Sequence, residues 1–228
     1  MSQNPSNVKL IAGMIGVAVL IFAALTWVIL KMPADQASGA NQAENVTFND
    51  QNDPSVGPAS AKVTVHEYSD FQCPYCSQAD PVFRQVIAQY QDRVRFVWKD
   101  FPLPMHANSN VSANAARCAQ VQGRYQAYHD KLFDVQNDWA DQQDPKSLFL
   151  QYAKTLGLDV SAFQSCLGRQ SQQSLIQADV DEGQQNNVDA TPTFFVNSIR
   201  ESALSLQGWQ KVLDQALKDA VTASSTTK

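Results

Sequence analysis

Cys73-Pro74-Tyr75-Cys76 sets two thiols three residues apart, close enough to make, break and exchange a disulfide. Exchange needs a thiolate, and an ordinary cysteine with a pKa of ~8.5 supplies little of it near neutrality. The flanking residues favour a place where the thiolate is stabilised. Val63-Thr64-Val65-His66-Glu67-Tyr68 is rich in β-branched and aromatic residues and reads as a strand. Pro74 suits the first position of a helix, and Val82, Val86 and Tyr90, with Phe83 and Ile87 beside them, form one helical face. Cys73 is therefore expected exposed at a helix N-terminus, where unpaired N–H groups and the macrodipole favour an anion. A drop of ~3 pKa units there stabilises the thiolate by ~4 kcal/mol, or roughly 90 mV toward a stronger oxidant. Cys76, one turn deeper, is placed to close a disulfide onto Cys73. The competing readings are a static structural disulfide and half of a zinc site. Zinc needs about two further ligands. His66, His106 and His129 are scattered without ligand spacing and Cys118 and Cys166 make no second Cys-x-x-Cys, so no metal is expected.

The elements that must hold this pair alternate. Strand 62–69 leads into helix 74–91, and Val94-Arg95-Phe96-Val97-Trp98 reads as the next strand, giving a βαβ unit with parallel strands. A long helical stretch, 107–186, follows, with turns expected at Gln142-Gln143-Asp144-Pro145 and Gly157-Leu158-Asp159. Thr193-Phe194-Phe195-Val196 is strand-like, Asn197-Ser198 a turn and Ile199 to Leu204 a returning strand. Trp209, Val212, Leu213 and Leu217 mark a C-terminal amphipathic helix, after which 222–228 reads as a disordered tail. With the helical stretch set aside, the order is βαβ then ββα.

Ahead of this domain, Leu10 to Leu30 runs 21 residues without a charge. As a helix it would be about 32 Å long, enough to cross a hydrocarbon core of ~30 Å. An uncleaved single-pass anchor is favoured over a removed signal peptide, for which Ser38-Gly39-Ala40 is a late candidate site. Residues 1–9 are then cytoplasmic. Residues 31–58, rich in Ala, Gln, Asn, Asp and Ser, read as a flexible tether, with Val46-Thr47-Phe48 a candidate edge strand. A dithiol with two more cysteines fits an oxidising compartment, which places 31–228 outside the cytoplasm, periplasmic or on the cell exterior. Net charge −5 without a basic cluster argues against a nucleic-acid partner.

Glu67-Tyr68-Ser69-Asp70-Phe71-Gln72-Cys73-Pro74-Tyr75-Cys76, Phe101-Pro102-Leu103 with His106, Ala115-Ala116-Arg117-Cys118-Ala119 and Thr191-Pro192-Thr193 together resemble the DsbA-like thiol:disulfide oxidoreductases, in particular their membrane-anchored type. The resemblance implies a thioredoxin-like α/β fold over 59–106 and 187–221, an all-helical insertion at 107–186 and one transmembrane helix in front. It implies that Cys73 is the nucleophile, Cys76 the resolving thiol, and Pro192 a cis-proline whose neighbour Thr191, with Pro74 and Tyr75, meets an extended peptide substrate. It also implies that an acid and a lysine lie beneath the dithiol and move the resolving thiol's proton. Glu67, which shares strand parity with Val63 and Val65, and Lys99, at the end of the adjacent strand, are the matching residues.

Cys118 and Cys166 lie on apolar helical stripes. A structural disulfide across the insertion, as some branches of the family have, and two buried free thiols are the alternatives. The activity implied is the passing of the Cys73–Cys76 disulfide, with no other cofactor, to reduced exported polypeptides. A quinone-linked membrane oxidase of the DsbB type would reoxidise the pair. Tyr75 departs from the most oxidising members, which carry His there, so a less extreme potential is expected. A reductase or isomerase of the same fold, and a tethered peptide-binding module with a static disulfide, are the other readings.

Overall fold

The structure is a computed structural model that describes residues 46–202 and 204–225. The anchor expected over 10–30, the cytoplasmic stretch expected over 1–9 and the first part of the expected tether lie outside the described residues. Among the described residues no helix is long and apolar enough to cross a membrane.

Five strands form one sheet: β1 (Ser55–Val56), β2 (Val63–Ser69), β3 (Val94–Asp100), β4 (Thr193–Val196) and β5 (Ile199–Glu201), in the order β1-β3-β2-β4-β5. β2 and β3 are parallel, joined through α1 (Pro74–Tyr90), while the other three pairings are antiparallel. β2 and β3 are buried along nearly their whole length, as central strands covered on both faces must be. One face carries Val63, Val65, Val94, Phe96, Trp98 and Phe194 into the main core with Phe83, Val86 and Ile87 of α1 and Trp209 and Leu213 of α8 (Leu206–Ser225). Phe83 is central there, its ring 4.9 to 5.7 Å from those of Phe96, Phe194 and Trp209. Burying such a side chain contributes about 1.5–3 kcal/mol.

The opposite face carries Tyr68, Phe195 and the strand-end Phe101 into a second cluster with Val188, Phe48 and Val180. Its cover is α7 (Gln173–Gln185). Gly183 lets α7 lie close, since a Cβ there would come within 2.7 Å of the Phe101 ring.

Between β3 and β4 run α2 (Ser109–Gln120), α3 (Tyr125–Asp134), α4 (Gln136–Trp139), α5 (Lys146–Thr155), α6 (Val160–Gly168) and α7. Cys118 on α2 is bonded to Cys166 on α6, with Cα atoms 5.8 Å apart.

Three expectations change. Residues 46–58, expected as part of a flexible tether, are held to the domain: Phe48 stacks on His66 at 3.6 Å, and Asn49, Asp50 and Asp53 bind buried cations. The edge strand is Ser55–Val56 rather than Val46–Phe48. At the other end, α8 continues to Ser225 through residues expected to be a disordered tail.

Candidate active site

Cys73 is the N-cap of α1, with extended backbone dihedrals (φ −70°, ψ 123°) and Pro74 as the first helical residue. The turn before it is closed by Cys73 N donating to Asp70 O at 3.0 Å. The Asp70 carboxylate accepts from Gln72 N, Leu103 N and His106 Nδ1, which fastens the loop after β3 to the cysteine turn. From the insertion, Gln136 Nε2 donates to Phe71 O at 2.7 Å and Cys73 O at 3.0 Å. Three separate segments therefore fix the backbone around Cys73.

Cys73 was expected exposed, but it is only 3% exposed, because the loop before β4 lies over it. The Thr191–Pro192 peptide bond in that loop is cis, and the Cys73 thiol donates to Thr191 O at 3.5 Å. Tyr75, between the cysteines, is 70% exposed. Both cysteines are thiols in this structure.

The two thiols differ in proton affinity. Cys73 is lowered to about 5, first by the hydrogen bond from Cys76, against the cost of burial, then by the Thr191 side chain and the backbone N–H groups of Cys76 and Tyr75. Cys76 is raised well above the ordinary thiol value by burial and by the neighbouring Cys73 sulfur. The pair thus holds one proton on Cys76 and leaves Cys73 as the nucleophilic sulfur, the division that exchange at Cys73 requires.

Glu67 lies on the same side of the sheet as this pair. It is fully buried, its Oε2 makes no hydrogen bond among the described residues, and burial raises its pKa to about 7. Lys99 is not its partner. The register sets Glu67 opposite Trp98 and Tyr68 opposite Lys99, so the lysine points to the other face. There Lys99 Nζ meets Asp53 at 2.5 Å, Glu182 at 2.8 Å and Asn49 O at 3.0 Å, with Asp50 and Asp179 within 4 Å. Beside it the fully buried Arg117 binds Asp53, Asp100 and Asp179. This network clamps the segment 49–53 to α2 and α7.

His129 of α3 does stand near Glu67. Its ring packs between Phe71, Trp98 and Phe133, and its Nδ1 is 3.0 Å from Asp130. Asp80, His129 and Asp130 are close enough together to ligate a metal, but Arg84 supplies a cation there, with Nη2 2.5 Å from Asp80 and Nε 3.4 Å from Asp130.

Sequence reasoning passed over His129, Asp80, Ser69 and Gln136 as site residues. Ser69 carried a signal, since it shares the parity of Glu67 and directly precedes the cysteine turn. Gln136 carried none.

A family described as Thioredoxin matches residues 49–215 of this chain. A curated relative, a Na(+)/H(+) antiporter NhaA 3 of Salinispora tropica, is 36% identical over 187 residues, which are 77% of this chain and 28% of that protein. The chain spans roughly a quarter of the length of the curated relatives it matches. Among solved structures, a thioredoxin-like oxidoreductase from Silicibacter pomeroyi is 26% identical, with a TM-score of 0.63 over 77% of this chain and 98% of that one. Wolbachia pipientis α-DsbA1 shares the fold at 21% identity, with a TM-score of 0.69 over 78% of this chain and 98% of that one.

Proposed function

The chain belongs to the thioredoxin family, and from that premise we propose that it is a DsbA-like thiol:disulfide oxidoreductase that gives its Cys73–Cys76 disulfide to reduced, exported polypeptides. The observation that carries this is the split between the thiols, Cys73 held at about 5 and Cys76 raised far above it. A stabilised Cys73 thiolate favours the reduced form of the pair and makes the disulfide a better oxidant.

A substrate thiolate attacks Cys73 Sγ, the Cys73–Cys76 bond breaks, and Cys76 leaves as a thiolate that takes up a proton. The substrate is now joined to Cys73. Its second thiolate attacks its own sulfur in that mixed disulfide, and Cys73 departs as the stabilised thiolate. Two electrons have passed from substrate to protein, and the substrate keeps the disulfide. The extended peptide lies against Thr191 and Pro192, with Pro74 and Tyr75 on the other side of the sulfur. An anchor over 10–30 would hold the domain outside the cytoplasm, and a membrane oxidase of the DsbB type would reoxidise the dithiol.

Trapping tests this reading. Cys76→Ala is expected to accumulate mixed disulfides with exported proteins, and Cys73→Ala to accumulate none. Function preserved in Cys73→Ala would instead make the domain a peptide-holding module. One residue favours the reductase or isomerase reading, namely Tyr75, which offers no positive charge to the thiolate.

A further inference from the structure

Three buried polar atoms make no hydrogen bond among the described residues: Ser69 Oγ, Glu67 Oε2 and His129 Nε2. Ser69 and Glu67 share one face of β2, and Ser69 Oγ lies within reach of both Glu67 and Cys76 while closing a hydrogen bond to neither. Trp98, opposite Glu67 in register, has its ring 5.4 Å from that of His129, and Phe71, two residues before Cys73, is 5.3 Å from it. His129 thus hangs from the insertion over the strand face that carries the acid, where the displaced Lys99 supplies no charge.

The tautomer follows from its neighbour. The Asp130 carboxylate can only accept, so Nδ1 carries a hydrogen and Nε2 is left as the atom that gains or loses a proton.

We propose that His129 is the positioning residue for proton transfer at the dithiol: its Nε2 exchanges a proton with Glu67, which serves Cys76 through the Ser69 hydroxyl. This rests on the oxidoreductase reading above and names the group that sets its resolving step.

When a mixed disulfide on Cys73 is resolved, the Cys76 thiol gives its proton through Ser69 to the Glu67 carboxylate. The Cys76 thiolate attacks Cys73 Sγ, the Cys73–Cys76 bond forms, and the substrate leaves as a thiolate with the electron pair. Glu67 then passes its proton to neutral His129 Nε2. In the oxidising direction the same steps run backward, with imidazolium restoring the proton that Glu67 gives to Cys76. Other titratable groups also face this pair: Asp80 from α1, itself held by Arg84, Asp130 and the neutral Tyr125 from α3 (with Asp134 held through Arg84), and Asp100 from β3. A positive charge on His129 favours the ionised acid.

The test uses an aromatic disulfide reagent that releases one coloured thiolate when Cys73 attacks it and a second when Cys76 closes on Cys73. His129→Phe keeps the aromatic surroundings, and His129→Gln keeps a hydrogen-bonding end, but neither takes a proton. Both are expected to leave the first phase unchanged from pH 5 to 9. The inflection of the second phase should move up by about one pH unit, slowing closure at pH 6.5 by roughly 5–10-fold. In the Glu67→Gln background the His129 change should have no further effect on the profile. Second-phase profiles in His129→Phe and His129→Gln that coincide with the unmodified protein would overturn the proposal. Should His129→Phe fail to fold, His129→Gln decides alone. If no protein shows a first phase, Cys73 is not the nucleophile, and the functional reading falls with the proposal.

Discussion

Glu67 stands opposite Trp98 across the parallel β2–β3 pair, and this turns Lys99, one residue further along, to the far side of the sheet. Glu67 and the buried lysine therefore belong to different parts of the molecule. Glu67 faces His129 and the cysteines, whereas Lys99 holds the segment 49–53 against α7.

Replacing Lys99 should consequently cost stability and leave the chemistry alone. Its side chain is fully buried among Asp53, Glu182, Asp50 and Asp179, and breaking a buried charge network typically costs about 3–5 kcal/mol. Lys99→Met is expected to lose about that much in urea denaturation, with the pH dependence of Cys73 alkylation unchanged.

The thiolate should be visible directly. Alkylation of Cys73 is expected to follow a titration with its midpoint near 5. Cys76→Ala removes the hydrogen bond that does most to hold Cys73 down, so the midpoint should rise by one unit or more. An unmoved midpoint would transfer the effect to Thr191 and the backbone N–H groups.

Opposite pH trends are built into the same molecule. The folded pKa values of Glu67 (about 7) and Asp179 (about 8) lie above their ordinary values of 4.5 and 3.8. Between those limits the folded state binds more protons than the unfolded one, so their contribution is present at low pH and is lost as pH rises through 7 to 8. Cys73 has the reverse sign: its folded value is depressed from 9.0, so its contribution is present at high pH and is lost as pH falls through about 5. Calorimetry should therefore show Glu67→Gln more stable than the unmodified protein at pH 8 and similar to it at pH 4. The stability of the dithiol form relative to the Cys73–Cys76 disulfide form should increase from pH 5 to 9.

The Cys118–Cys166 bridge acts through the unfolded chain. It spans 48 residues between α2 and α6, and the chain-entropy model assigns such a loop about 4 kcal/mol. Cys118→Ser with Cys166→Ser should lose up to that amount in denaturant titration while both phases of exchange at Cys73 keep their rates. A loss of exchange without a loss of stability would contradict a purely structural bridge.

Much of the site was legible in the sequence because it sits at chain punctuation. Cys73-Pro74 marks a strand-to-helix junction, Thr191-Pro192 precedes a strand, and hydrophobic periodicity outlined the insertion. Register was not legible. A one-residue offset between β2 and β3 decides which of Trp98 and Lys99 meets Glu67, and both strands are buried on both faces, so alternation gives no guide. Composition misled at residues 46–58. Asn49, Asp50 and Asp53 resemble a solvated tether, yet they are the ligands of Lys99 and Arg117, cations that lie 46 to 64 residues ahead in the chain. Arg117 among Ala115, Ala116, Cys118 and Ala119 was the visible counterpart, since a charge on an apolar helical stripe requires a partner.

The reduction potential of the Cys73–Cys76 couple, read by equilibrating the protein in glutathione buffers, tests the central claim most directly. A thiolate held near 5 and a resolving thiol pushed far above it predict a potential clearly less negative than the ~−270 mV of thioredoxin. A value at or below ~−270 mV would contradict the oxidase and leave a reductase in its place.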